Sequence, residues 1–163
     1  MAAHKLSHVD AKGRVTMVDV TAKSVTDRAA TARCEITMSA EARKAIRTGA
    51  VKKGDPLQAA RLAGIMAAKQ TSALIPLCHP LPISHADVQI TPTRRGYRID
   101  ASVRTTGQTG VEMEALTAAS VAALTIYDMV KAVDKTMVVD GLCVVEKRGG
   151  RSGTYRRAAA WRK

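Results

Sequence analysis

Asp128, Lys131 and Lys135 stand three and four residues apart near the end of an Ala-, Leu- and Val-rich segment, residues 110–135. Residues at this spacing lie on one face of an α-helix, so the pattern predicts a carboxylate beside two ammonium groups. A neighbouring carboxylate raises the pKa of a lysine, whereas burial or clustered cations lower it. The spacing therefore indicates either an acid/base lysine or an ordinary ion pair on a solvated helix face.

A second unusual segment, residues 74–82, contains three prolines together with Cys78 and His79. Each proline fixes its own φ and keeps the preceding residue out of the helical region. The pattern predicts a stiff, extended loop that presents a histidine. Such a loop suits a preorganised site, although a structural kink that packs His79 into the core would have the same sequence.

Several basic residues fall at the ends of the predicted elements. Lys53 precedes a helix N-terminus, where the helix dipole favours anions. Arg28 precedes the first strand, Lys69 lies near the end of the second helix, and Lys147 and Arg151 flank a Gly-Gly pair. Glycines let the backbone approach a phosphate closely and the cations would balance its charge, but a solvated basic turn is the alternative.

Cysteine usage and hydropathy favour a cytoplasmic protein without a metal or a membrane segment. Cys34, Cys78 and Cys143 are an odd number and form no CxxC pair, which favours a reducing compartment. Cys78 and His79 could join His85 around a metal ion, but no fourth ligand is apparent. No apolar run reaches transmembrane length, and the first residues lack the apolar core of a signal peptide.

The formal net charge of +12 is concentrated at one end of the chain, because the last 17 residues contain seven Lys or Arg and no acid. The remaining residues hold 19 basic and 14 acidic side chains, a moderate excess that suits an anionic small molecule. Three Tyr, one Trp and no Phe offer little for stacking on bases, so no nucleic-acid partner is expected. Residues 1–16 are predicted to be a mobile arm, and residues 154–163 a basic, disordered tail.

The pattern between these ends predicts a single α+β domain covering the 163 residues. Strands are predicted from Ala30 to Met38, around 86–90, around 97–103 and from Met137 to Lys147, with a hairpin turn at Arg95–Gly96. Helices are predicted over about 40–48, from Pro56 to about Gln70, and over 110–135. This order indicates a ferredoxin-like, antiparallel sheet with helices packed on one face.

The opposite face of that sheet has no helix left to cover it. Its predicted residues are polar: Thr31, Arg33, Glu35, Asp100 and Arg104. We expect this face to meet water or another subunit.

Taken together, the segments resemble the cyclic pyranopterin monophosphate synthase family (MoaC). The resemblance rests on KGD at 53–55, TxxLIPLCHPL at 71–81, GxTGVEMEALT at 107–117, YDMxKAV at 127–133 and KxGGxSG at 147–153, where x is a position on which the resemblance does not rest. MVDV at 17–20, and Lys23, Thr26, Arg28 and Ala30 within residues 23–30, resemble the amino-terminal signature of the family. Arg151 stands where the family pattern has lysine, which leaves its role open.

The resemblance implies a lyase of molybdenum cofactor biosynthesis that needs no cofactor. It would convert 3',8-cyclo-7,8-dihydro-GTP, made by a radical SAM enzyme, to cyclic pyranopterin monophosphate and release pyrophosphate. The family fold is ferredoxin-like. The homo-oligomer would be a hexamer, a trimer of dimers with its sites at the dimer interface.

The resemblance also assigns roles to particular residues. Asp128 and Lys131 would be catalytic, with Lys53 as a second acid/base lysine reaching the site from the neighbouring subunit. Residues that would bind substrate are Leu77, Cys78, His79, Glu112, Met113, Glu114, Arg28, Lys69 and Lys147. The competing interpretation is a non-catalytic protein that binds a nucleotide or, through its basic tail, a nucleic acid.

Overall fold

The chain forms one antiparallel sheet with its helices on one face. A computed structural model describes residue 9 and residues 12–151 and 153–158. The elements are β1 (Thr26–Thr37), α1 (Ala40–Arg47), α2 (Pro56–Lys69), α3 (Thr71–Leu74), β2 (Ile83–Thr93), β3 (Gly96–Gly107), α4 (Glu112–Val130), β4 (Val138–Arg148) and β5 (Tyr155–Arg156).

The strands follow the spatial order β2-β3-β1-β4-β5, and every neighbouring pair is antiparallel. The first four strands, with α2 and α4 in their connections, form the split βαβ arrangement. Ala30, Ala32, Cys34 and Ile36 are all buried, as the period of two predicts. The predicted α+β, ferredoxin-like fold is confirmed.

Small residues let α4 pack closely on the sheet and on α2. Ala115, Ala119 and Ala122 are fully buried on this central helix. At Gly64 of α2, an added Cβ would lie 2.9 Å from the backbone oxygen of Ala118, so the two helices touch where no side chain intervenes. The length and composition of α4 would allow it to cross a membrane, but here it packs against β1, β3 and α2.

The long helix is shorter than the predicted 110–135, because it ends at Val130 with Lys131 as its C-cap. Val133 donates its N–H to the carbonyl of Val130, which tightens the chain into a turn. Asp134 then binds the backbone N–H of Ser39 through Oδ2 at 2.7 Å. This long-range bond replaces a further helical turn, so Lys135 is not on α4.

Side chains cap the N-termini of α1 and α2, as the sequence predicts. Ser39 accepts from the N–H of Ala42 at the start of α1, and Asp55 accepts from the N–H groups of Leu57 and Gln58 at the start of α2. The Asp55 cap fixes the end of the loop that carries Lys53.

The sheet face away from the helices is polar, as predicted. Asp100 binds Arg33 at 2.6 Å and Arg98 at 2.9 Å, and Thr31 exchanges a hydrogen bond with Ser102. Opposite charges on neighbouring strands stabilise the pairing of β1 with β3.

The two terminal segments are described only in part. Within the predicted mobile arm, residues 1–8, 10 and 11 lie outside the described residues, and Val9 forms an isolated bridge with Val15. Within the predicted tail, Tyr155–Arg156 form β5, which the sequence pattern did not indicate, and residues 159–163 lie outside the described part.

Candidate functional site

Asp128 holds two lysines, one on each oxygen of its carboxylate. Lys53 Nζ lies 2.6 Å from Oδ2, and Lys131 Nζ lies 2.8 Å from Oδ1. Lys53 Nζ also donates to the backbone oxygen of Asp128 at 3.2 Å. These residues line an open groove of about 420 Å³ with Tyr127 and Lys135. We call Lys53, Asp128 and Lys131 the lysine–aspartate cluster.

Lys53 and Asp128 of the same chain are in contact. The expectation that Lys53 reaches the site from the neighbouring subunit stays a prediction. α2 packs along α4 in the opposite direction, so the loop before α2 lies at the C-terminal end of α4. The position of Lys53 therefore follows from helix packing.

The charges of the cluster stabilise one another. Hydrogen bonds from Lys131 and then Lys53 lower the pKa of Asp128 to about 2. The hydrogen bond to Asp128 raises the pKa of Lys131 above its usual value. The side chains of Lys131 and Asp128 are 54% and 55% exposed, so solvent screens their interaction. Because its pKa is raised, Lys131 is protonated at neutral pH, and its ammonium group is a proton donor.

A second cavity lies at the other end of α4, between its first turn and the proline-rich loop. It encloses about 390 Å³. Six of the predicted substrate-binding residues line it: Leu77, Cys78, His79, Glu112, Met113 and Glu114. Val18, Val20 and Lys23 complete one wall, and we call this cavity the His79 pocket.

His79 is held by the backbone of residue 18. Its Nε2 lies 2.8 Å from the carbonyl oxygen of Val18. A carbonyl oxygen can only accept, so Nε2 carries a proton and donates it. In the neutral ring Nδ1 is therefore the nitrogen that can accept.

Glu114 is the most deeply buried acid of the His79 pocket, with 3% of its surface exposed. Burial raises its pKa, and the charge of Glu112 raises it further. Burial also raises the pKa of the Cys78 thiol, with a smaller contribution from the charge of Glu114. The first turn of α4 thus supplies a carboxyl group that is poised to bind hydrogen-bond donors in an apolar setting.

A third cavity, of about 910 Å³, adjoins the His79 pocket at Lys23, which lines both. Its other basic residues are Arg28 and Arg151, and we call it the cationic cavity. Within the described part of the chain, the salt bridges leave these three cations without a carboxylate partner. Three cations that no described carboxylate neutralises give this cavity the charge that an anionic ligand requires.

Gly150 lets Arg28 approach the turn that carries Arg151. Gly150 has a φ of +72°, and a Cβ at this position would overlap Arg28 Nη1. Arg28 also donates from Nε to the carbonyl oxygen of Gly107 at 2.9 Å. The glycine and this bond together hold the guanidinium at the wall of the cationic cavity.

The remaining two predicted phosphate-binding residues occupy different surroundings. Lys147 Nζ lies 3.3 Å from Glu112 Oε1, beside the His79 pocket. Lys69 is exposed in the last turn of α2 and lines neither the His79 pocket nor the cationic cavity. The structure therefore connects Lys147, but not Lys69, with the site.

Lys23, Val18 and Val20 are among the site residues to which sequence reasoning gave no role. They lie in segments that contribute to the family resemblance, and that resemblance is the one feature of the sequence that points to them. Their roles depend on how an irregular segment folds over the proline-rich loop, which no periodic pattern predicts.

The lysine–aspartate cluster and the His79 pocket lie far apart within one chain. Glu114 and Asp128 are 14 residues apart on α4. At 1.5 Å per residue the helix separates them by roughly 21 Å along its axis. A single chain therefore carries two separate groups of site residues.

The described residues contain no group of three or more His, Cys, Asp or Glu side chains that could hold a metal ion. The chemistry that these residues offer is proton transfer and anion binding.

Comparison with known proteins identifies the family. A model of the MoaC family matches residues 17–150. A protein of Chloroflexus aggregans, named cyclic pyranopterin monophosphate synthase, is 59% identical over 155 residues, which cover 94% of each chain. Relatives of the same name from Jannaschia sp. and Nostoc sp. are 56% and 53% identical, over 93% and 92% of this chain and 94% and 90% of theirs. The chain belongs to the MoaC family.

Proposed function

We propose that this chain is a cyclic pyranopterin monophosphate synthase, an enzyme of molybdenum cofactor biosynthesis. In this proposal it converts 3',8-cyclo-7,8-dihydro-GTP to cyclic pyranopterin monophosphate and releases pyrophosphate. The observation that carries the proposal is the His79 pocket, which contains six of the residues that the family resemblance assigns to substrate binding. The relatives at 53–59% identity that bear this name support it.

The cationic cavity suits the phosphate chain of this substrate. A triphosphate becomes a cyclic monophosphate when a hydroxyl oxygen attacks the α-phosphorus, closes the ring and displaces the β- and γ-phosphates as pyrophosphate. Negative charge then builds on the leaving group, and Lys23, Arg28 and Arg151 are placed to stabilise it. Arginine at position 151 can bind two phosphate oxygens at once through the planar fork of its N–H donors, a geometry that lysine lacks.

Glu114 suits the guanine-derived ring. The ring presents neighbouring N–H donors on its pyrimidine edge, and a carboxylate accepts two such donors side by side. Burial makes the free carboxylate costly and raises the pKa of Glu114, so a ligand that donates to it recovers that cost. Glu112, already bound by Lys147, supports the same turn of α4.

The lysine–aspartate cluster supplies the proton transfers of the rearrangement. Lys131 and Lys53 donate hydrogen bonds to Asp128 from two sides, and Lys131 is a proton donor at neutral pH. Asp128 orients both ammonium groups. For a lysine of the cluster to accept a proton, closure of the groove must first remove water from it, which lowers a lysine pKa.

We also propose that the complete site forms between two subunits of a homo-oligomer, a hexamer built as a trimer of dimers. Acid/base groups must come within hydrogen-bond reach of the reacting ring. The separation of roughly 21 Å between Glu114 and Asp128 prevents this within one chain. The cluster of one subunit would therefore act on a substrate held in the His79 pocket and cationic cavity of another.

The test is turnover of the cyclised nucleotide by the purified protein. We expect stoichiometric formation of cyclic pyranopterin monophosphate and pyrophosphate, with GTP inert as a control substrate. The Asp128→Asn variant should bind the nucleotide but turn it over at least 10²-fold more slowly, the scale of acid/base catalysis. Binding of the cyclised nucleotide by the wild-type protein without release of pyrophosphate would instead indicate a non-catalytic nucleotide-binding protein.

A further inference from the structure

Residues 17–25 cross the surface beside the site without forming a helix or a strand. We call them the strap. Val18 and Val20 of the strap line the His79 pocket, and Lys23 lines both this pocket and the cationic cavity. The strap is exposed along most of its length, so burial contributes little to its position.

Side chains from the body of the protein hold the strap in place. Gln108 Nε2 donates to the carbonyl oxygens of Thr21 at 3.0 Å and Lys23 at 3.1 Å. A carboxamide has two N–H hydrogens, and these two bonds use both. Since both partners are carbonyl oxygens, which only accept, the amide group can face them in one orientation alone. His79 binds the strap at a third point, the carbonyl of Val18.

Gln108 also connects the strap to the rest of the site. It lies in the loop between β3 and α4, and the next two residues of that loop, Thr109 and Gly110, line the His79 pocket. The family resemblance rests on Gly107, Thr109 and Gly110 of this loop and gives no role to position 108. One short loop thus shapes the pocket and fastens the strap that carries Lys23.

We propose that Gln108 is a positioning residue, which holds the backbone of Lys23 so that its ammonium group stands at the junction of the two cavities. Lys23 has a long, flexible side chain, and fixing its backbone reduces the entropy lost when it binds an anion. The identity of the ligand as a phosphate chain rests on the proposed function, whereas the positioning of Lys23 by Gln108 does not.

The experiment compares Gln108→Met with Gln89→Met. Methionine matches the length of glutamine but donates no hydrogen bond. Gln89 is the matched control, because its exposed amide also donates to a neighbour, Asp87, and it lies on β2 away from both cavities.

We expect Gln108→Met to speed amide hydrogen exchange in residues 17–25 and to weaken binding of inorganic pyrophosphate about 3- to 10-fold, the scale of a net neutral hydrogen bond. Gln89→Met should match the wild type in both measurements.

A double variant separates positioning from a general loosening of the site. Lys23→Gln should itself weaken pyrophosphate binding, and adding Gln108→Met should bring no further loss, because Gln108 acts through Lys23. Unchanged pyrophosphate affinity in Gln108→Met, or losses that add in the double variant, would overturn the proposal. If Gln108→Met does not fold, Gln108→Asn, whose amide is one methylene too short to reach both carbonyls, is expected to change in the same direction.

Turnover supplies an independent readout. Gln108→Met should raise KM for the cyclised nucleotide while kcat stays within about 3-fold of the wild type, since the acid/base cluster is untouched. A fall in kcat at constant KM would contradict positioning of a binding residue. If the wild-type protein does not turn over the nucleotide, the proposed function fails, and the exchange and pyrophosphate measurements still decide the role of Gln108.

Discussion

At the residue scale, Asp128 determines the charge state of the acid/base groups. Its carboxylate binds both lysines of the cluster, and its pKa falls to about 2 while that of Lys131 rises. At neutral pH Asp128 is therefore ionised and Lys131 is protonated. The sequence left the sign of the Lys131 shift open, because the neighbouring carboxylate and the neighbouring lysine act in opposite directions.

Replacing Lys131 by arginine separates proton transfer from charge. Arginine keeps the positive charge next to Asp128 but does not give up its proton. We expect Lys131→Arg to retain KM within a few-fold and to lose about 10²-fold or more in kcat. Steady-state kinetics with the cyclised nucleotide measures both.

Lys135→Arg is the matched control for this prediction. Lys135 lines the same groove, and no salt bridge of the described residues joins it to Asp128, so this variant should keep near-normal turnover. Near-normal turnover of Lys131→Arg would reduce Lys131 to an electrostatic role. The acid/base assignment would then move to Lys53 or His79.

The sequence predicted local side-chain relations better than distant ones. Asp128 and Lys131 are three positions apart on a helix, and that spacing alone brings them together. The contact of Lys53 with Asp128 joins residues 75 positions apart and depends on the antiparallel packing of α2 on α4. No spacing rule contains that information.

At the element scale, the end of α4 shows what periodicity cannot determine. The apolar pattern continues past Val130, but the chain turns there because Asp134 binds the backbone of Ser39, 95 residues away. The same carboxylate accepts two bonds of 2.7 Å from Thr136. Asp134 thereby fixes the segment that follows Lys131 against the start of α1.

Asp134→Asn tests this contact through its dependence on pH. The hydrogen bonds from Ser39 and Thr136 lower the pKa of Asp134 in the folded state. Its stabilising contribution is therefore present above the unfolded pKa, about 3.9, and is lost as pH falls through the lower folded value. At pH 7 we expect Asp134→Asn to lower the free energy of unfolding by about 1–3 kcal/mol, since one of its bonded oxygens becomes an NH₂ group.

Urea unfolding at pH 7 and in the acid range below pH 4 measures the effect. As the pH falls, the free energy of unfolding should decrease more steeply for the wild type than for Asp134→Asn. The difference in stability between the two proteins should therefore shrink toward low pH. Asp140→Asn is the control, because this carboxylate is exposed on β4 and its replacement should change stability little. Equal stability of Asp134→Asn and wild type at pH 7 would contradict the proposed anchoring role.

At the scale of the whole molecule, the ferredoxin-like fold separates the two groups of site residues. α4 crosses the layer of helices, with Glu114 in its first turn and Asp128 in its last. The order of strands and helices along the chain, and the helix layer, followed from alternating and helical patterns in the sequence, because each pattern reflects burial on one face. The separation of the two groups emerged only when the ends of α4 were located in the fold.

A site shared between subunits can be tested by mixing two inactive variants. In a dimer of one Lys131→Ala subunit and one His79→Ala subunit, the intact cluster of the second faces the intact pocket of the first. Equal mixing makes about half of the dimers mixed, each with one intact site of two, so we expect about one quarter of the wild-type activity.

Lys131→Ala mixed with Lys53→Ala is the control, because both changes damage the same cluster and leave no intact cluster in either subunit. With subunit exchange verified by native mass spectrometry, rescue in the first mixture alone supports a shared site. Absence of rescue there would contradict a site shared between subunits.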